Sequence, residues 1–252
     1  MKRSVLSAVL AIGLLTLDSG SVAHAAPLRL RLDNISTSQG VVLTDNGLND
    51  LSPLDGLITY SGSLGGSFAV NVTTGTSDPP LVTTLPNSLD LSSITINSSG
   101  SGLLRITLLQ DDYSANGGLN LVASLGGVLS APAGSTITLQ SYANGDNLLP
   151  DPGPDQGLGL IAAMPPLPPG SIAAFSGAGA VFGPGAFSAS DSADFASSAQ
   201  FSLFSHVLVS FTGAGSISFD LSQQASPVPE PATLALLGLG LAGLAAPLRR
   251  KR

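Results

Sequence analysis

Short runs in which apolar and polar residues alternate dominate the chain from Leu28 to Leu221. Leu28-Arg29-Leu30-Arg31-Leu32 has the period of two expected of a strand with one buried face. Phe68, Val70 and Val72 repeat the pattern, as do Leu104, Ile106 and Leu108, and then Ile137 and Leu139. Further on, Phe201, Leu203, Val207, Val209 and Phe211 share one face, with Ser205 its single polar position, and Ile217, Phe219 and Leu221 form the last run. Leu89 and Leu91 fall out of phase with Ile94 and Ile96, which predicts a β-bulge at Ser92-Ser93. Asn116-Gly117-Gly118 and Asn144-Gly145-Asp146 read as turns between strands. No amphipathic helix of three turns is evident. The expectation is an all-β body, an antiparallel β-sandwich or jelly roll.

Two stretches interrupt this regularity. Leu148–Gly170 is proline-rich, includes Pro165-Pro166-Leu167-Pro168-Pro169, and reads as a long loop or a linker between sub-sheets. Ser171–Ser198 is rich in Gly, Ala and Ser, so its register is weakly specified, with Phe175, Phe182 and Phe187 as inward anchors. One sandwich with a long insertion, spanning residues 26–226, is favoured over two domains.

The ends follow a different pattern. Lys2 and Arg3 precede a nearly continuous apolar stretch, Val5–Leu17, and then Ala23-His24-Ala25, the small-x-small motif a signal peptidase accepts. Cleavage is expected before Ala26, making 1–25 a signal peptide with a helical apolar region. At the other end, Val228-Pro229-Glu230-Pro231 leads into Ala232–Leu248, seventeen residues without a charge, and Arg249-Arg250-Lys251-Arg252 closes the chain. The prolines stop any preceding strand. The apolar run is just long enough to span a membrane as a helix, and the basic cluster stays on the cytoplasmic side. Gly238, Gly240 and Gly243 match a dinucleotide-binding fingerprint by letter only, because neither the strand nor the acidic residue it requires is present.

Motif, apolar helix and basic terminus in this order resemble the PEP-CTERM sorting signal of Gram-negative bacteria that produce exopolysaccharide, over Pro227–Arg252. The resemblance implies recognition by an exosortase, a membrane-embedded transpeptidase-like enzyme that cuts near the motif. Val228, Pro229, Glu230 and Pro231 are then a substrate tag rather than catalytic residues. The implied itinerary is export across the inner membrane, transient anchoring there, and residence at the cell surface or outside it. Signal peptidase and exosortase are the implied processing partners, and secreted exopolysaccharide the implied surroundings.

Composition narrows the functions open to the body. Only 10% of residues are charged. Residues 27–226 hold three basic residues, Arg29, Arg31 and Arg105, against fourteen aspartates, a formal charge of −11. Such a surface repels phosphate backbones, so nucleic acid is excluded as a partner. The chain has no cysteine and no tryptophan, which removes disulfides, thiolate chemistry and the usual stacking platform for sugars.

Candidate chemistry in the body is sparse. His206 is its only histidine and reads as structural. Asp111-Asp112 are neighbours that a regular strand would point to opposite faces, and no nucleophile elbow or zinc-binding helix motif is present. The better prospect is a hard cation, Ca²⁺, held by oxygens of Asp45, Asn46, Asn49, Asp50 and Asp55 in one turn-rich loop. The same residues are ordinary turn formers, and a structural loop is the competing reading. No other cofactor is expected. The body reads as a non-enzymatic surface or matrix domain, with a secreted hydrolase using aspartates and a self-associating adhesin as alternatives.

Overall fold

Chain alternation of this kind can bury one face only if a second sheet covers it, and that is what forms. The structure, a computed structural model, describes residues 27–77, 87–115, 117–150, 167–175 and 179–228. Both terminal signals and most of the proline-rich stretch lie outside the described residues. Thirteen strands are present among the described residues. The first six are β1 (Arg29–Asn34), β2 (Gln39–Thr44), β3 (Leu57–Leu64), β4 (Phe68–Ser77), β5 (Asn87–Ser98) and β6 (Gly102–Ser114). Then come β7 (Gly117–Ser130), β8 (Thr136–Asn144), β9 (Ser171–Ala173) and β10 (Ala180–Phe182). The last three are β11 (Gly185–Ser197), β12 (Gln200–Phe211) and β13 (Gly215–Pro227). No helix occurs among the described residues.

The strands make two antiparallel sheets. The first runs β10-β8-β12-β6-β1-β2, with β9 also pairing β8, and the second runs β11-β7-β13-β5-β4-β3. From β5 to β8 the chain changes sheet at every step, and it does so again from β10 to β13. The resulting sets, β5-β13-β7-β11 against β6-β12-β8-β10, have the strand order of a jelly roll. The hairpins β1-β2 and β3-β4 widen one side of each sheet.

The alternating apolar residues meet between the sheets in one main cluster. Leu30, Leu32, Ile106, Leu108, Val207 and Val209 come from the first sheet, and Val70, Ile94, Ile96, Leu121, Leu125, Phe219 and Leu221 from the second. Each fully buried side chain of this size is worth about 1.5–3 kcal/mol. The Gly/Ala/Ser-rich stretch folds as β9, β10 and β11, with Phe175 and Phe187 buried as expected and Phe182 stacked on Phe187, centroids 5.2 Å apart. Phe195 is a further inward anchor, meeting the edge of Phe201 at 5.4 Å. Gly127 makes room for this arrangement: a Cβ there would lie 2.8 Å from Phe187 Cζ and 2.7 Å from Phe219 Cβ.

Bulges occur where the sequence phase slips. β13 keeps step with β5 except between Phe219 and Leu221, which face Ile94 and Leu91, so the extra residue falls at Ser92-Ser93 as predicted. Ser93 takes a φ of 55°, and its N–H donates to Asp220 Oδ1 at 2.6 Å. A second bulge was not anticipated. Phe201 and Leu203 face Tyr113 and Gln110, placing the extra residue at Asp111-Asp112, with Asp112 at φ 64°. Asn147 locks it by accepting from the Asp112 N–H (2.8 Å) and donating to its carboxylate (2.7 Å).

One polar chain crosses the apolar interior. Ser205, inward on β12, donates to Gln223 Oε1 of β13 at 2.8 Å and lies 3.1 Å from Ser141 Oγ of β8. Gln223 Nε2 donates to the Tyr142 carbonyl at 2.6 Å, and Ser141, Ser205 and Gln223 are all buried. These bonds tie the sheets together at fixed register, because a slip would strand buried polar atoms. Gln223→Leu is expected to cost about 1–3 kcal/mol, read as a fall in melting temperature with the far-ultraviolet circular dichroism of the native chain retained.

Candidate functional site

The last strand and the sorting motif are joined without a spacer. β13 occupies an interior place in its sheet, between β7 and β5. Its pairing with β5 continues to Ala225↔Asn87, and with β7 to Pro227↔Leu119. The Val228 N–H then donates to the Gly118 carbonyl at 2.9 Å. Val228 is thus hydrogen-bonded to the sheet while its side chain is exposed. Pro229, Glu230 and Pro231, the basic residues Arg249, Arg250, Lys251 and Arg252, and the cleavage residues Ala23, Ala25 and Ala26 lie outside the described residues. The start of the body lies at the same end of the molecule. Arg29 of β1 pairs with Leu109 toward the end of β6, whose Ser114 pairs with Gln200 at the start of β12. Both junctions with the terminal signals therefore share one end of the sandwich.

The loop expected to hold Ca²⁺ connects β2 to β3 at that end. Most of its hydrogen-bonded carboxylate oxygens accept from backbone N–H groups, whereas Asp45 Oδ1 is buried without a hydrogen-bond partner. Asp50 Oδ1 accepts from the Ser52 and Thr59 N–H groups, both at 2.9 Å, and Asp50 Oδ2 accepts from the Asn46 N–H at 3.0 Å. Asp45 Oδ2 accepts from the Gly56 N–H at 2.8 Å, and Asn46 Nδ2 donates to Asp55 Oδ1 at 2.7 Å. Asn46 and Asn49 adopt left-handed φ values of 57° and 69°, which asparagine tolerates well. Partial burial, with Asp50 and Asp55 nearby, raises the Asp45 carboxyl above its ordinary range. Among the described residues no group of three His, Cys, Asp or Glu side chains could hold a metal ion.

The three arginines of the body all fall on the outer face of the first sheet, in phase along β1 and β6. Asp33 is fully buried between two of them. Arg31 Nε donates to Asp33 Oδ1 at 2.9 Å, and Arg105 reaches Asp33 Oδ2 through Nε at 2.9 Å and through its terminal nitrogen at 2.8 Å. Arg29 approaches Asp111 at 3.9 Å. Across β6 and β12, Thr107 pairs with His206, whose Nδ1 lies 3.3 Å from Thr107 Oγ1. Tyr142 stacks on Phe204 one row along, centroids 5.0 Å apart. Burial, reinforced by the Arg105 charge and opposed by Asp33, lowers His206 to about 4. An imidazole so enclosed is neutral near pH 7. The signal for this network was present in the sequence as Arg29, Arg31 and Asp33 at every second position.

The outer face of the second sheet carries a shallow cleft of about 320 Å³, formed where the Ser92-Ser93 bulge opens the sheet opposite the side-chain-free Gly126. Asp90, Asp220, Ser124 and Ser222 line it. Burial raises the Asp90 carboxyl, against hydrogen bonds from Ser222 and the Gln223 backbone that act the other way. The cleft presents these carboxylates and hydroxyls to solvent.

Comparison with protein families finds the PEP-CTERM protein-sorting motif at residues 227–251. The chain therefore carries the tag of an exported protein that is sorted at a membrane and processed by exosortase. No curated protein matches. Two solved structures show a distant likeness. One is infectious bursal disease virus, Gt strain, with 12% identity over 89% of this chain and 76% of that one at a TM-score of 0.19. The other is the VP2 subviral particle of the same virus, with 12% identity over 90% and 70% at a TM-score of 0.17. At these scores the likeness carries nothing for fold or role.

His206 binds a proton more weakly in the fold than in the unfolded chain, so its contribution is complete above pH 6.5 and is lost as pH falls toward about 4. Across that window it is worth about 3 kcal/mol. The raised Asp45 and Asp90 carboxyls act in the opposite sense. His206→Asn is expected to flatten the acid decline in melting temperature between pH 7 and pH 4.5; an unchanged slope would remove His206 from the account.

Proposed function

We propose that this chain is a non-enzymatic β-sandwich protein delivered to the cell surface or extracellular matrix of a Gram-negative bacterium, where it associates with secreted polysaccharide. Residues 1–25 are a signal peptide removed before Ala26, and Ala232–Leu248 is a transmembrane helix that holds the body outside the inner membrane until exosortase acts. The observation that carries the reading is the junction at Pro227-Val228. The last residues of an interior strand are the first residues of the sorting motif. Within the described residues β13 is paired with β5 through Ala225 and with β7 through Pro227, and a cut near the motif leaves that pairing in the released chain.

Three features favour a binding or structural role over hydrolysis. His206 is buried and neutral beside Thr107. The aspartates of the β2–β3 loop organise backbone N–H groups. The cleft between Asp90 and Asp220 is shallow and open, with hydroxyls suited to glycan contact rather than to excluding water.

Intact-mass measurement of the protein recovered outside the cell tests the itinerary. The expected chain begins at Ala26 and ends beyond Val228 without the apolar run. Recovery of a secreted chain still ending in Arg252 would overturn it.

A further inference from the structure

The end of the sandwich that bears both junctions also gathers most of its exposed large apolar side chains. Leu48 is 89% exposed, Leu51 63% and Leu54 58%, all in the β2–β3 loop. Leu148 beyond β8, Leu167 before β9 and Val228 beyond β13 are exposed at the same end. Toward the opposite end, among the described residues, Val128 at 49% and Val181 at 53% are exposed on strands, and the turns carry no large apolar side chain exposed to this degree. Solitary exposed leucines are ordinary, but an asymmetry of this kind marks a contact surface.

The tail decides what meets it. Val228 is held on Gly118, and only Pro229, Glu230 and Pro231 separate it from the apolar run that begins at Ala232. Four residues reach at most about 14 Å. While the tail is in the membrane, this end of the body is therefore kept against the lipid headgroups. The loop is built to present its leucines there. Asp50 and Asp45 fold inward to bind four loop N–H groups, which leaves the apolar side chains outermost. Burial of such side chains at the headgroup–acyl boundary is favourable, whereas the carboxylates disfavour anionic lipid.

We propose that Leu48, Leu51 and Leu54 form a lipid-docking loop that seats the folded body on the membrane surface and presents the Val228–Pro231 junction at a fixed height before it is cut. The proposal rests on the tail being a membrane tag. Docking is strongest on zwitterionic lipid and ends once the tail is gone, because the loop alone buries too little area to hold an acidic protein on a bilayer.

The chain has no cysteine, so single labelling sites can be introduced cleanly. Leu51→Cys, Ala214→Cys in the far β12–β13 turn and Leu241→Cys in the apolar run would each carry an environment-sensitive fluorophore. Each full chain, produced in a host without exosortase, is reconstituted into phosphatidylcholine vesicles with or without brominated acyl chains. The label at position 51 is expected to shift to the blue and to lose most of its emission to brominated lipid, with the label at 214 unaffected. A label at 51 as unquenched as that at 214, with the label at 241 quenched, would overturn the docking proposal alone. An unquenched label at 241 would instead remove the membrane reading of the tail, and docking with it.

Discussion

Pairing of β13 on both sides is the constraint on which the rest of the molecule depends. This final strand lies between β7 and β5, two strands that precede it by about a hundred residues and would otherwise be left as open edges. Its inward side chains Ile217, Phe219, Leu221 and Ala225 fill the middle of the core, and Gln223 carries the hydrogen bonds to the opposite sheet. The second sheet cannot close until the chain through Pro227 is available. The second sheet is thus closed by the same strand that leads into the sorting motif.

The polar groups are arranged around that constraint. Buried polar side chains satisfy one another in networks, Ser141, Ser205 and Gln223 inside and Arg31, Asp33 and Arg105 on the outer face of the first sheet. One carboxylate oxygen each of Asp45, Asp90 and Asp111 is buried without a hydrogen-bond partner. All the positive charge of the body is spent on that face, in structural pairs or near-pairs with aspartate. What remains for contact with other molecules is an acidic, hydroxyl-rich surface on the second sheet and an apolar rim at the end from which the tail departs. Without disulfides, the scaffold depends on strand pairing, core packing and these networks for its stability.

Strand periodicity was legible because each strand presents one face to the core, and the phase slip at Ser92-Ser93 was legible for the same reason. The slip at Asp111-Asp112 was masked: Tyr113 is out of phase with Leu104, Ile106 and Leu108 of the same core, but Leu109, buried on the opposite face of β6, makes the apolar run read as continuous. Ser205 stood out as a polar residue on an apolar face, but its partner Gln223 lies on another sheet, a pairing that only the fold supplies. The aspartates of the β2–β3 loop were read as oxygen donors for a cation. In the fold Asp50 and one oxygen of Asp45 accept from N–H groups of the loop and of β3, an engagement that composition does not reveal. The sorting motif was the most legible element because it is read by an enzyme as linear sequence.

Hydrogen exchange on the protein recovered from outside the cell tests most directly whether the body is completed by β13 and survives removal of the tag. The amides of Leu221, Gln223 and Ala225 are predicted to exchange as slowly as those of Ile94 and Leu121 on the flanking strands. Exchange of the β13 amides at the rate of an unstructured peptide, with the rest of the sandwich protected, would contradict the account.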